Sequence, residues 1–308
     1  MQNASLLAAI DIGSNSCLLE IGHFAGERLV SQTCRKETIR LGGSLDAQGQ
    51  LSSEAMERGW ACLQRFAPLI ADLPRERVRA VATQTLREAT NRALFLAHGS
   101  AILGVPIEVI GGEEEARLIY QGVARLLPPS SRRRLVVDIG GRSTELCLGQ
   151  GLAAHLTRSV EIGSVAWSLR HFSDGGLRPE QFAAAQASAR AVLQPQAEAF
   201  AAAHWEQAYG ASGTAGAISR VLAAQTGVPG LITRQGLGWL QTRLQQEGHS
   251  SAVHLAGLRE ELRPVIGGGV SVMHAVFELF GIEEMRVTQG SLRHGLLYGL
   301  RPPTPDAP

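Results

Sequence analysis

The feature that most constrains the fold of this 308-residue chain is a sequence that occurs twice. Residues 8–22 read AAIDIGSNSCLLEIG and residues 135–149 read LVVDIGGRSTELCLG, with Asp, Gly and Ser at the same spacing. In each copy, an apolar run, a turn of small residues and a second apolar run predict two adjacent strands joined by a tight turn. One copy in each half of the chain predicts two similar domains.

The turns of the two copies are candidate phosphate-binding loops. Small residues let the backbone approach an anion closely, and successive amide N–H groups can surround a phosphate. Two such loops, one in each domain, therefore predict a single phosphorylated ligand held between the domains. The alternative is that the copies are two unrelated buried strands that end in loops.

The composition restricts the chemistry that can bind this ligand. Lys36 is the only lysine, so no GxxxxGK[ST] loop exists and a P-loop nucleotidase is excluded. Arginine and backbone amides are left as phosphate ligands. The net charge of +1 provides no overall attraction to nucleic acid or membranes, and we interpret Arg132–Arg134 as a solvated linker.

The cysteines and the N-terminus predict a reducing, cytoplasmic environment. Cys17, Cys34, Cys62 and Cys147 show neither CxxC pairing nor zinc-ligand spacing. The N-terminus has no positively charged segment typical of a signal peptide, and no apolar run reaches the roughly 18 residues of a membrane span.

Strands that alternate with helices predict an α/β fold. Helices are expected over 52–72, starting at Ser52 or Ser53, and over 84–98, 113–126 and 179–204, with a terminal helix over 291–300. The segment LPPSSRRR at 127–134 interrupts the pattern. It predicts an N-terminal domain over residues 1–126 and a C-terminal domain over residues 127–308 that includes the terminal helix. The tail at 301–308 is expected to be disordered.

The segment GGEEEARLIY at 111–120 places three acidic residues at the start of a predicted helix. Glu113 and Glu114 fit a routine role, because carboxylates are favourable near the positive end of the helix dipole. Glu115 shares a helix face with the apolar residues three and four positions later. Burial of a carboxylate is unfavourable without a compensating role, and burial near other acids raises its pKa towards that of a general base. Glu115 is therefore a candidate catalytic base.

Asp11, Asp138 and Glu145 form a second acidic set. Asp138 ends a predicted strand, and Glu145 follows on the returning strand, so the turn would bring both carboxylates to one side. Carboxylates, waters and substrate phosphates are the ligands that Mg²⁺ uses in proteins. The three acids predict a Mg²⁺ site that neutralises phosphate charge. An Asp at a strand end also commonly caps a turn, which is the structural alternative.

Six segments together resemble a known family: AIDIGSNSCLLEIG, ATQTLREATN, GGEEEARLIYQGV, VVDIGGRSTELCLG, ASGTAGAI and VTQGSLRHGLL. In this order they are similar to the exopolyphosphatase and guanosine pentaphosphate phosphohydrolase family, a branch of the actin, sugar-kinase and heat-shock ATPase fold. The resemblance covers essentially residues 8–300. It implies two ribonuclease-H-like domains with the active site in an interdomain cleft, and Mg²⁺-dependent hydrolysis of a terminal phosphoanhydride.

The resemblance also implies roles for individual residues. Glu115 matches the water-activating base, and Asp138 and Glu145 match the acids that position metal and water. The implied phosphate-binding residues are Ser14, Asn15 and Arg87 in the first half, and Gly140, Gly141, Arg142, Ser143, Gly213 and Arg293 in the second.

Several of these roles have alternatives. Arg87 and Arg293 could each pair with a carboxylate instead of a phosphate. Arg142 replaces the third glycine of the family's usual DIGGGSTE loop, so it could add a phosphate contact, narrow the loop, or strain the backbone if a positive φ is needed. Longer members also carry a C-terminal helical region that this chain lacks, which predicts weak processivity on long polyphosphate.

These observations predict an exopolyphosphatase that releases orthophosphate from inorganic polyphosphate. One alternative keeps the chemistry and changes the substrate to guanosine pentaphosphate. A second is a phosphotransferase that moves phosphate to ADP or another small acceptor, and a third is a catalytically weak sensor of nucleotide or polyphosphate. We expect no nucleic-acid or membrane partner, and the sequence leaves a homodimer open.

Overall fold

The computed structural model describes residues 6–301, and part of the predicted disordered tail, residues 302–308, lies outside this range. The strands of the described chain are β1 (Leu7–Ile12), β2 (Ser16–Ala25), β3 (Arg28–Thr38), β4 (Val78–Ala82), β5 (Ile107–Val109), β6 (Arg133–Ile139), β7 (Thr144–Gln150), β8 (Ala153–Val160), β9 (Gln207–Gly210), β10 (Leu231–Thr233) and β11 (Glu284–Val287). The α-helices are α1 (Ser53–Ile70), α2 (Gln84–Glu88), α3 (Arg92–Leu103), α4 (Gly112–Leu126), α5 (Ser164–His171), α6 (Pro179–Leu193), α7 (Gly213–Thr226), α8 (Arg234–Glu247), α9 (Ile266–Phe280) and α10 (Leu292–Gly299).

The described chain forms two compact units with the same sheet topology. Unit 1 contains residues 6–111 and 292–301, and unit 2 contains residues 112–291. The sheet of unit 1 has the order β3-β2-β1-β4-β5, and that of unit 2 has the order β8-β7-β6-β9-β11-β10. In both units the first two strands form an antiparallel hairpin and the first strand pairs in parallel with the fourth.

This repeated topology confirms the predicted fold class, an α/β protein with two similar domains, and the ribonuclease-H-like form that the family resemblance implied. In each copy, the aligned Asp falls on the first strand of the hairpin, one residue before its end. The additional strand of unit 2, β10, pairs antiparallel with β11 at the sheet edge.

Each unit has its own hydrophobic core, and small residues let its helices pack closely. In unit 1, a Cβ on Gly59 of α1 would lie 2.5 Å from the ring of Phe95 in α3, which is fully buried. In unit 2, a Cβ on Gly268 of α9 would lie 2.5 Å from the backbone oxygen of Ser164 in α5. Burial of a Phe side chain contributes about 1.5–3 kcal/mol to the free energy of unfolding, so the close packing around Phe95 contributes to stability.

The division between the units differs from the predicted boundary at 126/127. Helix α4, which was expected to end the first domain, packs on β7 and β8 and belongs to unit 2. Helix α10, which was expected to end the second domain, packs on β1 and β2 of unit 1. The linker-like composition of 127–134 marks only the loop before β6, because the partners of α4 and α10 are distant in sequence.

Two predicted helices are interrupted in the structure. The helix expected over 84–98 divides into α2 and α3, because the side chain of Asn91 binds the backbone of Leu51. The amide of Leu51 donates to Asn91 Oδ1, and Asn91 Nδ2 donates to the oxygen of Leu51. The helix expected over 179–204 ends at Leu193, and a 3₁₀ turn containing Pro195 follows. The predicted cap of α1 is confirmed, since the side chain of Ser52 accepts a hydrogen bond from the amide of Ala55.

Candidate active site

The hairpin of β6 and β7 brings two of the predicted carboxylates together. Asp138 and Glu145 are direct partners in the antiparallel register. Residues opposite each other in such a pair have Cβ atoms about 4.5–5.5 Å apart on the same sheet face. The loop between the strands places these two acids side by side, as the sequence predicted.

Helix α4 lies over this same face of the hairpin. Alternation along the strand puts Cys147 and Gly149 on the face of Glu145. The thiol of Cys147 donates to the backbone oxygen of Ala116 at 3.0 Å, and a Cβ on Gly149 would lie 2.2 Å from the ring of Tyr120. These close contacts fix the distance between α4 and the sheet, and they place the first turn of α4 beside Asp138 and Glu145.

The three acids at the start of α4 have different environments. The side chain of Glu113 is 73% exposed and lies 3.6 Å from Arg158, and Glu114 makes an exposed ion pair with Arg117 at 2.7 Å. Glu115 is buried, with 7% of its surface exposed. The prediction that Glu115 faces the interior is confirmed. We call Glu115, Asp138 and Glu145 the carboxylate cluster.

Electrostatic repulsion is strong within the carboxylate cluster. Burial, followed by the nearby charges of Glu115 and Asp138, raises the pKa of Glu145 well above its ordinary value. The hydroxyl of Ser159, which is the register partner of Glu145 on β8, donates to Glu145 Oε1 at 2.8 Å and partly opposes this rise. A bound cation would stabilise the charged carboxylates, so the cluster favours cation binding.

The loop that connects β6 to β7 is a two-residue turn. The amide of Gly140 donates to the oxygen of Ser143 at 2.9 Å, which leaves Gly141 and Arg142 at the tip. The oxygen of Gly140 accepts from the amide of Ser164, and that of Gly141 accepts from Val165 at 2.8 Å. The start of α5 therefore holds the carbonyl groups of the loop.

This arrangement directs the amide groups of the loop. In a trans peptide the C=O and the following N–H point in opposite directions, so the N–H groups of Gly141 and Arg142 point away from α5. A Cβ on Gly163 would lie 2.5 Å from the amide nitrogen of Arg142 and from the carbonyl carbon of Gly141. Contact with Gly163 thus orients amides that can donate to an anion.

Arg142 does not strain this loop. Among the non-glycine residues of 6–301, a positive φ occurs at Arg40 and not at Arg142. The alternative that Arg142 strains the backbone is therefore excluded, because the family's third glycine corresponds here to a position with negative φ, which any residue can adopt.

The first hairpin repeats this geometry in unit 1. The amide of Gly13 donates to the oxygen of Ser16 at 3.0 Å, with Ser14 and Asn15 at the tip of the turn. The oxygen of Ser14 accepts from Gly42 at 2.7 Å, so the segment after β3 holds this loop as α5 holds the other. Both predicted phosphate loops have the same backbone form.

A helix N-terminus lies beside the second loop. Strands β6 and β9 are parallel neighbours, and α7 starts soon after β9, with Gly213 as its first residue. The hydroxyl of Thr214 donates to the oxygen of Ile139, next to Asp138, at 2.8 Å. Helix N-termini favour anions through their dipole and free amides, so the position of Gly213 suits phosphate.

The carboxylate cluster fits the way in which Mg²⁺ usually binds. In residues 6–301, no three His, Cys, Asp or Glu side chains are arranged as a complete metal site. Mg²⁺ commonly uses one or two carboxylates, several waters and substrate phosphates. The neighbouring acids Asp138 and Glu145 match that requirement. Asp11 belongs to unit 1, and its predicted role as a metal ligand stays a prediction.

Two of the three arginines predicted to bind phosphate, Arg87 and Arg293, lie in unit 1, and both have protein partners. Arg87 donates to Gln84 Oε1 and, at 2.8 Å, to the oxygen of Ile110. Arg293 forms an ion pair with Glu20, whose side chain is 4% exposed. For Arg293, the structure therefore supports the alternative of a carboxylate partner. The phosphate-binding role of Arg87 stays a prediction.

His294, which lies beside the ion pair between Arg293 and Glu20, predicts a pH dependence of the stability of unit 1. Burial, and then the charge of Arg293, lower the pKa of His294 from 6.5 to about 4. Between these values the unfolded chain binds more protons than the folded chain, so the stabilisation present above pH 6.5 is lost as the pH falls towards 4. The loss is about 1.4 kcal/mol for each pH unit in that window.

We expect amide hydrogen exchange in β1 and α10, measured by mass spectrometry, to accelerate between pH 6.5 and 4 beyond its intrinsic pH dependence. His294→Gln should flatten this response, whereas the exposed control His155→Gln should leave it unchanged. Equal pH responses for the wild type and His294→Gln would contradict the assignment to His294.

Comparison with known proteins identifies the family. The model of the Ppx/GppA phosphatase family matches residues 26–303. The chain belongs to this family. Membership agrees with the predicted enzyme class, a hydrolase of phosphoanhydride bonds.

Solved structures support this membership. The chain is 26% identical to an exopolyphosphatase-like protein, with a TM-score of 0.86 over 96% of this chain and 97% of the other. A Ppx/GppA family member from Aquifex aeolicus is 25% identical, with a TM-score of 0.78 over 96% and 97%. An exopolyphosphatase from Cytophaga hutchinsonii, 22% identical with a TM-score of 0.84 over 96% and 97%, supports the fold.

Sequence reasoning missed residues that support the site from outside the motifs. Ser159 and Gly163 contact the carboxylate cluster and the second loop, but neither lies in the duplicated segment. A glycine between a strand and a helix was the only signal for Gly163, and Ser159 had none. Within residues 6–301, no helix has the length and apolar character needed to cross a bilayer.

Proposed function

We propose that this Ppx/GppA family phosphatase is an exopolyphosphatase that hydrolyses the terminal phosphoanhydride of inorganic polyphosphate. The observation that carries the proposal is the carboxylate cluster, in which Glu115 and Glu145 are buried and Asp138 is half-buried, between a glycine loop and a helix N-terminus. The similarity to an exopolyphosphatase-like protein over almost the whole of both chains supports polyphosphate as the substrate.

In the proposed reaction, the second loop and the start of α7 hold the terminal phosphates through backbone amides. Glu115 accepts a proton from a water and orients it for in-line attack on the terminal phosphorus. Asp138 and Glu145 would hold Mg²⁺, which when bound would neutralise charge on the phosphate oxygens. Because phosphoryl transfer depends mainly on positioning and electrostatics, the fixed loop contributes to catalysis in addition to the base.

The negative charge of the carboxylate cluster favours binding of Mg²⁺ together with the substrate phosphates. Without a cation, the charges of Glu115 and Asp138 disfavour the ionised form of Glu145. Substrate phosphates alone would add negative charge and increase the repulsion. We therefore expect the wild-type protein to bind Mg²⁺ and polyphosphate together, each raising the affinity for the other.

The test measures orthophosphate release by the purified chain with Mg²⁺ on tripolyphosphate, long-chain polyphosphate and guanosine pentaphosphate. We expect faster release from polyphosphate, and no release when Mg²⁺ is removed with a chelator. Preferred release from guanosine pentaphosphate would overturn the substrate assignment. ATP formed from polyphosphate and ADP would indicate a phosphotransferase, and binding without turnover would indicate a sensor.

A further inference from the structure

Helix α7 carries an exposed strip that leads away from its N-terminus. Gly213, Gly216 and Arg220 are three and four residues apart, a spacing that places them on one helix face. Gly213 and Arg220 are exposed, whereas Ala217 and Ile218 are buried on the opposite side. The strip therefore continues from the predicted phosphate-binding start of α7 along the surface of unit 2.

The side chain of Arg220 folds back along this strip. Its Nη1 lies 3.3 Å from the position that a Cβ on Gly216 would occupy, and its Nε donates to the oxygen of Gly257 at 3.4 Å. Helical side chains point towards the N-terminus, which explains the direction. The guanidinium consequently lies beside Gly216, about 4.5 Å along the axis from Gly213. Because Gly216 has no side chain, the surface between Gly213 and the guanidinium of Arg220 is not covered.

The position of this guanidinium is electrostatically unfavourable for the protein alone. A cation near a helix N-terminus is opposed by the helix dipole. Burial, and then the neighbouring charge of Arg259, lower the pKa of Arg220, while Glu261 partly opposes them. In the described part of unit 2, no carboxylate lies within ion-pair distance of Arg220. A bound anion would compensate the positive charge of Arg220.

The strip connects directly to the carboxylate cluster. The hydroxyl of Thr214 bonds the oxygen of Ile139, one residue beyond Asp138. Hydrogen-bond acceptors for the amides of Gly213 and Thr214 are absent from the described residues. A phosphate at the start of α7 would thus lie between the carboxylates and the guanidinium of Arg220.

We propose that Arg220, reached across Gly216, binds distal phosphates of an extended polyphosphate chain whose terminal phosphate lies at the carboxylate cluster. This inference rests on the proposed function. The planar guanidinium matches the bidentate geometry of phosphate oxygens. The site makes affinity depend on chain length, because only a chain that passes the first turn of α7 makes this contact in full.

The test compares Arg220→Ala with the wild type on long-chain polyphosphate and on tripolyphosphate. Loss of one charge-assisted contact should raise KM for the long chain about tenfold, with kcat unchanged. For tripolyphosphate, KM should rise much less. Arg243→Ala removes a partly exposed arginine of α8 that pairs with Glu247, and it should leave both KM values unchanged.

A second variant changes the strip without removing the arginine. Gly216→Glu places a carboxylate four residues before Arg220, where it would pair with the guanidinium and repel phosphate. It should also raise KM for the long chain. An equal rise in KM for both substrates, or no change in either, would overturn the proposal.

A binding measurement separates failure of this inference from failure of the proposed function. Calorimetry of long-chain polyphosphate with Mg²⁺, on proteins that also carry Glu115→Gln to prevent turnover, measures binding alone. Weaker binding by Arg220→Ala than by Arg243→Ala would support the distal site even if the wild type released no orthophosphate. Equal binding by both variants would contradict it, even if the wild type were an active exopolyphosphatase.

Discussion

Glu115→Gln is expected to lower kcat for orthophosphate release by about 10²–10⁴-fold, the usual contribution of a general base. The amide has nearly the same shape as the carboxylate but cannot accept the proton from water. Because Glu115 is buried beside Asp138 and Glu145, its removal also relieves repulsion between like charges. The free energy of unfolding should therefore stay equal or rise while activity falls.

The measurement combines steady-state kinetics with urea unfolding of the same preparations. Glu113→Gln is the matched control, since this neighbouring acid is exposed and makes a long ion pair with Arg158. It should retain wild-type kcat. A Glu115→Gln variant that loses stability and activity together would indicate a structural role for this carboxylate.

Gly163→Ala is expected to lower kcat/KM by about 10²-fold, the effect of misplacing catalytic groups by about 1 Å. The added Cβ would lie 2.5 Å from backbone atoms of Gly141 and Arg142, so the loop has to move. The φ of Gly163 is −158°, which alanine adopts readily, so the effect comes from this contact alone. Overpacking of this kind costs about 1–3 kcal/mol of stability.

Gly238→Ala in α8 provides the control for this variant. A Cβ there meets no atom within 4 Å, so alanine should stabilise the helix by about 0.5–1 kcal/mol without changing kinetics. The readouts are kcat/KM for polyphosphate and the midpoint of urea unfolding. If Gly163→Ala retained wild-type kcat/KM, the contact between α5 and the loop would have no role in positioning phosphate.

Each unit holds its predicted phosphate loop by hydrogen bonds to carbonyl groups of the turn. In unit 1 the carbonyl of Ser14 is held by Gly42, and in unit 2 that of Gly141 is held by Val165. In each case the segment after the third strand binds the carbonyl side of the turn and leaves the amide side for an anion. This correspondence extends the repeat beyond the duplicated sequence, although the two supporting segments have different structures.

The sequence alone was sufficient for features governed by local pattern. The alternation of apolar and small residues predicted both hairpins, and strand pairing across a short turn required Asp138 to face Glu145. Helical periodicity placed Glu115 on the buried face of α4. These results depend on residues close together in the chain, where strand and helix geometry fix the relative positions of side chains.

Only the tertiary structure decided the features that depend on distant segments. Glu20 lies 273 residues before its partner Arg293, and α10 packs on strands at the other end of the chain. The register of β8 brought Ser159 to Glu145, and α5 brought Gly163 to the loop. No local periodicity encodes such pairings, because they arise when whole elements pack to bury apolar surface. The duplicated sequence thus determined the two hairpins and their acids, whereas packing between remote elements decided the supports of the site.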